Sequence, residues 1–214
     1  LYDEPGMPLL LNRDNPLPDG YEDAVVLASV GWGNGKDQQM EQKAAAAFLA
    51  MQAAAAAEGI TLSPFSCYRS HQRQTNNYNN SIQNYLNQGL SQEKAERRTQ
   101  EYYAIPGTSE HEAGLAVDIN GIEESFENTD AFAWLQQHCA EYGFILRYPK
   151  DKVDITQIAY EPWHYRYVGT EHAWLMNEYG YCLEEYDYYL KYGDGSDDID
   201  EPTDEPSDGD EGGE

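Results

Sequence analysis

The sequence predicts an α+β fold: a small, mostly antiparallel sheet flanked by helices. Helical patterns come first, strand-like runs cluster later, and neither a βαβ alternation nor an internal repeat suggests a parallel sheet. The opening stretch LLLNRDNPLPDGY is rich in Pro, Asn and Asp, so residues 1–24 are expected to lie extended on the core rather than form a helix. GWGNG at 31–35 reads as a loop. Residues 36–58 are Ala-rich and end at Gly59, the pattern of a strong helix with a glycine stop. Residues 60–66 read as a short strand that Pro64 pushes to a sheet edge. Residues 70–88 form a polar helix stopped at Gly89, and Ser91 can cap another running to about Tyr103. After the Ile105-Pro106-Gly107 turn, residues 115–119 read as a strand. Residues 130–142 form an amphipathic helix with Phe132, Trp134 and Leu135 facing the core, stopped by Gly143. Residues 144–148 and 155–168 read as strands, with a turn at 150–152. Thr170 is placed to cap a helix to Tyr179, and residues 183–192 form a last short helix. The plan is an N-terminal segment 1–24, one domain over 25–192 and a tail 193–214.

Composition removes several classes of function. Among 214 residues, 39 Asp+Glu face 13 Lys+Arg, a net charge of −26. A nucleic-acid binder needs a basic stripe to displace counterions, and none exists. The acidic body also disfavours adsorption to anionic lipid or wall polymers by charge alone. With 40% hydrophobic residues and 18 tyrosines the chain can build a core. No apolar run reaches the ~18 residues of a membrane span. Three cysteines lack CxxC spacing and are expected to be buried thiols. If one disulfide forms in an oxidising compartment, Cys139–Cys182 is the least strained pair. The tail holds 11 acidic residues, no basic ones and one Ile, so it is expected to be disordered, and it lacks the DxDxDG spacing of a calcium loop. The chain starts at Leu1 without a signal pattern, which suggests a trimmed or mature form.

Two segments carry chemistry: PGTSEHEAGLAVDIN at 106–120 and AYEPWHYRYVG at 159–169. They offer His111, Asp118, Glu161 and His164. Two imidazoles and a carboxylate are a common ligand set for catalytic zinc, leaving one position open, and a further glutamate can then act as base. Each half alone is common by chance. Strand alternation puts Leu115, Val117 and Ile119 on one face and Asp118 on the other, toward a cleft. Glu161 and His164 are three apart and would face opposite sides of a flat strand. If both serve one site, the backbone must twist or bulge near Pro162.

SEHEAGLAVD followed by EPWHYRYVG resembles the paired signature of the VanY-type D-alanyl-D-alanine carboxypeptidases. These zinc peptidases share a fold with D-Ala-D-Ala dipeptidases, lysostaphin-type enzymes and the hedgehog signalling domain. LLLNRDNPLP, SCYRSHQRQ and YGFILRYP agree with it, so the resemblance runs from about Leu9 to Tyr192. It implies one zinc ion held by His111, Asp118 and His164, with Glu161 as catalytic base. It implies Arg69 facing the substrate as a second catalytic residue, and Ser109, Gln74 and Tyr68 in substrate binding. Cys67 and His71 depart from the family pattern, which touches substrate detail rather than the metal set. The implied activity is hydrolysis of the terminal D-alanine of peptidoglycan stem peptides. The alternative is an L,D-carboxypeptidase acting on tetrapeptide stems; a non-catalytic zinc module is a third reading, against which Glu161 argues. The expected partners are stem peptides, the expected state a monomer, and the expected address extracytoplasmic, wall-associated or secreted. Elsewhere, Trp163 reads as packing beside the metal, Arg166 as an ion-pair partner, and the tyrosines of 179–192 as a cover for the core. His71, His138 and His172 read as surface or cap histidines.

Overall fold

The computed structural model describes residues 7–193. The tail assigned to 193–214 lies outside the described residues except for Gly193. Within them, the mixed helix-and-sheet class holds, with two small antiparallel sheets.

The N-terminal segment is extended but includes one helical turn, α1 (Tyr21–Ala24). Leu11 and Tyr21 are buried against Ala113, and the Tyr21 hydroxyl donates to the Ala113 carbonyl at 2.8 Å. The segment therefore braces the first motif.

Residues 31–41 depart from expectation. They form a hairpin, β1 (Leu27–Gly33) and β2 (Lys36–Glu41), turning at Asn34 and Gly35, both at positive φ. An Asn-Gly pair with two positive φ values makes the tight turn that matches strand twist. The expected helix begins six residues late, as α2 (Gln42–Ala57). Its N-terminus is capped by the Glu41 carboxylate, which accepts from the Lys43 and Ala44 amides. Ala44, Phe48, Met51 and Ala55 form its buried stripe, and Gly59 ends it.

The second sheet has strand order β3-β4-β6-β5: β3 (Pro64–Ser66), β4 (Ala116–Ile119), β6 (His164–Tyr167) and β5 (Phe144–Leu146). Pro64 sits on the edge strand, where its missing donor is harmless. Between β3 and β4, α3 (His71–Asn87) and α4 (Gln92–Gln100) form a polar helical hairpin, capped by the hydroxyls of Ser70 and Ser91. α5 (Asp130–His138) passes into a 3-10 turn at Cys139–Tyr142 before β5. α2 and α5 cover one face of the sheet, sharing a core with Val117, Ile119, Phe144 and Tyr165.

The strand expected over 155–168 is limited to β6. Residues before it form a 3-10 turn and α6 (Val153–Thr156), then coil. α7 (Thr170–Tyr179) follows, but its N-cap is Gly169 and no side chain caps it, so Thr170 is not the cap. α8 (Leu183–Tyr192) closes the domain, packing Leu183 and Tyr186 against α7. Cys67, Cys139 and Cys182 are free and buried, so the Cys139–Cys182 disulfide is not formed.

Candidate active site

Sheet register assembles the site. β4 and β6 pair so that Asp118 stands directly opposite His164, and β3 sets Ser66 beside Asp118 on the other flank. Cross-strand partners lie about 5 Å apart, near enough for two side chains to share one ion. His111 arrives from the loop before β4. That loop is tied down where the Arg69 amide donates to the His111 carbonyl at 3.0 Å and the Glu41 amide to the Gly114 carbonyl at 2.8 Å. Gly114 has φ +71°, and a Cβ there would stand 2.8 Å from the Glu41 nitrogen, so the close approach needs glycine.

His111, Asp118 and His164 each offer a ligand atom within 4.8 Å of the others, and all three are buried. Asp118 Oδ1 is 3.4 Å from His111 Nε2 and 3.3 Å from His164 Nδ1. That oxygen is buried without a hydrogen-bond partner, a costly state for a carboxylate. His111 Nδ1 sits 2.8 Å from the Cys67 carbonyl, which can only accept, so the ring's N–H lies there and Nε2 keeps its lone pair. Burial, reinforced by the Arg69 charge, lowers the His111 pKa to about 4 and keeps it neutral. Convergent nitrogen and oxygen donors around an orphaned carboxylate oxygen fit a divalent cation such as zinc.

Glu161 joins by a tight turn, not by a twisted or bulged strand. The His164 amide donates to the Glu161 carbonyl at 3.2 Å, so Pro162 and Trp163 form the corner and β6 starts after it. The Glu161 carboxylate thereby lies 3.4 Å from His164 Nδ1. Burial pushes its pKa up to about 8, against the attraction of His164.

Arg69 completes the group. Its Nη2 donates to Asp118 Oδ2 at 3.1 Å, its Nε and Nη2 to Ser66 Oγ, and its Nη1 to Gln74 Oε1. A cavity of about 520 Å³ is lined by Arg69, Ser109, His111, Asp118, Glu161 and His164 together. Two expected substrate residues are not part of that lining. Gln74 is wholly buried behind Arg69, bridging it to the Ala104 carbonyl, and the Tyr68 hydroxyl turns to Glu22. Trp163 lines the cavity and is also packed in the core.

Several lining residues have no counterpart in the sequence reading: Tyr85, Tyr102, Tyr103, Glu123, Glu124 and Tyr148. Tyr148 was visible within YGFILRYP, and its ring lies 4.8 Å from that of His164. Glu110 was missed as well, although it stands beside His111. It is buried and bonded to Arg147 and Arg166, which places Arg166 in an ion pair. His71 bonds Glu112, His138 bonds Glu141, and His172 bonds the Tyr186 hydroxyl, all away from the cavity lining.

A family model described as VanY, D-alanyl-D-alanine carboxypeptidase, matches residues 37–170. A D-alanyl-D-alanine carboxypeptidase of Enterococcus faecalis is 36% identical over 176 residues, covering 82% of this chain and 63% of that protein. The chain thus spans under two thirds of that relative's length. A solved VanY D,D-pentapeptidase from a VanB-type vancomycin resistance cassette, in complex with Zn(II), superimposes with TM-score 0.71 at 37% identity. That match covers 83% of this chain and 96% of the other. A solved LdcB LD-carboxypeptidase gives TM-score 0.72 at 37% identity, covering 83% of each chain.

Proposed function

This chain belongs to the VanY D-alanyl-D-alanine carboxypeptidase family, and from that membership we propose that it is a zinc metallocarboxypeptidase removing the terminal D-alanine from peptidoglycan stem peptides. The carrying observation is the convergence of His111, Asp118 and His164 beside Glu161 in one open cavity. The zinc-bound VanY neighbour and the enterococcal relative support the reading.

His111, Asp118 and His164 would hold the ion, and when bound it supplies Lewis acidity, polarising the scissile carbonyl and acidifying water. Glu161 takes the proton of the attacking water and returns it to the departing D-alanine amine. Its carboxylate, 3.4 Å from His164 and lining the cavity, is placed to make both transfers. Arg69 is held from behind by Ser66 and Gln74, so its fork meets the cavity as a fixed positive charge. It stabilises the oxyanion or clamps a substrate carboxylate. Ser109 contributes to the cavity wall; Gln74 acts through Arg69. Residues 25–192 form the catalytic domain on this reading, with the described residues 7–24 packed on it; residues 1–6 and 194–214 lie outside the described residues. The chain works as a monomer outside the membrane, wall-associated or secreted, as its substrate requires. No described helix is long and apolar enough to cross a membrane.

A second reading, L,D-cleavage of tetrapeptide stems, is favoured by the equally close LdcB neighbour. Incubation with defined penta- and tetrapeptide stems, followed by mass analysis, separates the two. D-alanine release from the pentapeptide, abolished by a chelator and restored by zinc, is expected. Release that survives chelation refutes the metal reading, and release from the tetrapeptide alone refutes the D,D assignment.

A further inference from the structure

Glu110 neighbours one candidate ligand in sequence but reaches the other in space. Its Oε1 accepts from Arg147 Nε and Arg166 Nη1, both at 2.7 Å, while Oε2 lies 3.3 Å from His164 Nε2. Both arginines are fixed elsewhere. Arg147 donates to Glu184 on α8 at 2.9 and 2.7 Å, and Arg166 donates to the Leu9 carbonyl at 2.6 Å. The Glu110 carboxylate cannot swing away without giving up its bonds to two buried guanidiniums.

An imidazole that gives one nitrogen to an ion carries its single N–H on the other. Glu110 Oε2, whose partner oxygen is taken by the two arginines, is the acceptor placed beside Nε2. Nδ1 is the ring nitrogen that faces Asp118 Oδ1, at 3.3 Å. We infer that Glu110 is a positioning residue of the metal centre, holding His164 by Nε2 so that Nδ1 faces the ion. The inference rests on the metal centre proposed above. His111 is oriented differently, by the neutral Cys67 carbonyl. A charged partner additionally raises the basicity of the ligand it holds. The competing role for Glu110 is that of a counter-ion for Arg147 and Arg166 alone.

Zinc affinity, measured by competition with a chromophoric chelator, separates these roles in the wild type and in Glu110→Gln, Glu110→Asp and Glu184→Gln. Circular dichroism establishes which variants fold. Glu110→Asp keeps the charge for the arginines but shortens the reach to His164. Both Glu110 variants are expected to bind zinc about 10–100-fold more weakly, the usual effect of losing a ligand's outer partner. Glu184→Gln loosens Arg147 without touching His164 and should bind close to the wild-type level. Folded Glu110 variants with wild-type affinity overturn the inference, as does a Glu184→Gln loss as large as theirs. Should neither Glu110 variant fold, nitrogen NMR of the zinc-loaded wild type decides. Zinc on His164 Nδ1 with a protected Nε2–H supports the inference, and zinc on Nε2 overturns it. A wild-type chain that binds no zinc removes the metal centre itself.

Discussion

At the scale of single residues, the proposed mechanism gives proton chemistry and metal holding to different side chains. Glu161 touches His164 but is not one of the three converging donors, so removing it should spare the ion. Glu161→Ala is expected to keep one zinc per chain while kcat falls by about 10²–10⁴-fold, the usual contribution of a positioned base. Metal analysis and stem-peptide kinetics on the same sample check this; near-wild-type turnover would end the assignment. His111, Asp118, Glu161 and His164 could be singled out in the sequence as side chains of the right type, and the resemblance to the VanY family gave them their roles. Glu110 was not singled out, because a glutamate beside a histidine in sequence reads as solvated polarity. Its role depends on burial, and Arg147 and Arg166, which hold it, lie 37 and 56 positions away. Gln74 and Tyr68 show how far sequence proximity is from placement. Both lie near Arg69 in sequence, yet α3 turns one behind the guanidinium and Glu22 draws the other aside.

At the scale of elements, most helices and strands were readable and the β1–β2 hairpin was not. Lys36–Glu41 lacks an apolar alternation because one of its inward positions is Gln38. That side chain is buried by donating to the Gly33 carbonyl and accepting from the Cys67 amide. Burial of a fully bonded amide satisfies the strand as well as an apolar residue would, but it disguises the pattern. The Asn34-Gly35 pair was the available signal. The hairpin also supports the site, since Glu41 bonds Gly114 and the Tyr68 amide donates to the Gln39 carbonyl. Its seat against β3 depends on Gly33, where a Cβ would fall 1.7 Å from the Pro64 carbonyl oxygen. Gly33→Ala must push the two strands apart, at about 1–3 kcal/mol by analogy with overpacked cores. Urea denaturation is expected to show a lower midpoint; an unchanged midpoint would mean that the strands separate freely.

At the scale of the whole molecule, a buried charge cluster joins both ends of the described domain to the site. Arg147 contacts the Leu11 carbonyl, Arg166 the Leu9 carbonyl, and Glu184 bonds both Asn12 and Arg147. Burial would raise the pKa of Glu184, but Arg147 and the hydrogen bonds it receives hold it below its ordinary value. A carboxylate depressed in the folded state adds stability above its unfolded pKa of about 4.3, and that share is lost as pH falls through the lower folded value. Thermal stability should therefore decline below about pH 4.3, and Glu184→Gln should decline less steeply there while being less stable at neutral pH. Parallel acid profiles for the two proteins would show that the pair contributes nothing to the pH dependence. The α+β class, the acidic character and the order of most elements followed from the sequence alone. They depend on side-chain chemistry and on periodicity within a few residues. The hairpin, the corner at Pro162 and the Glu110 cluster were decided by tertiary structure. Each depends on which distant groups share a dry interior, where an unpaired polar atom is costly and a paired one is nearly neutral.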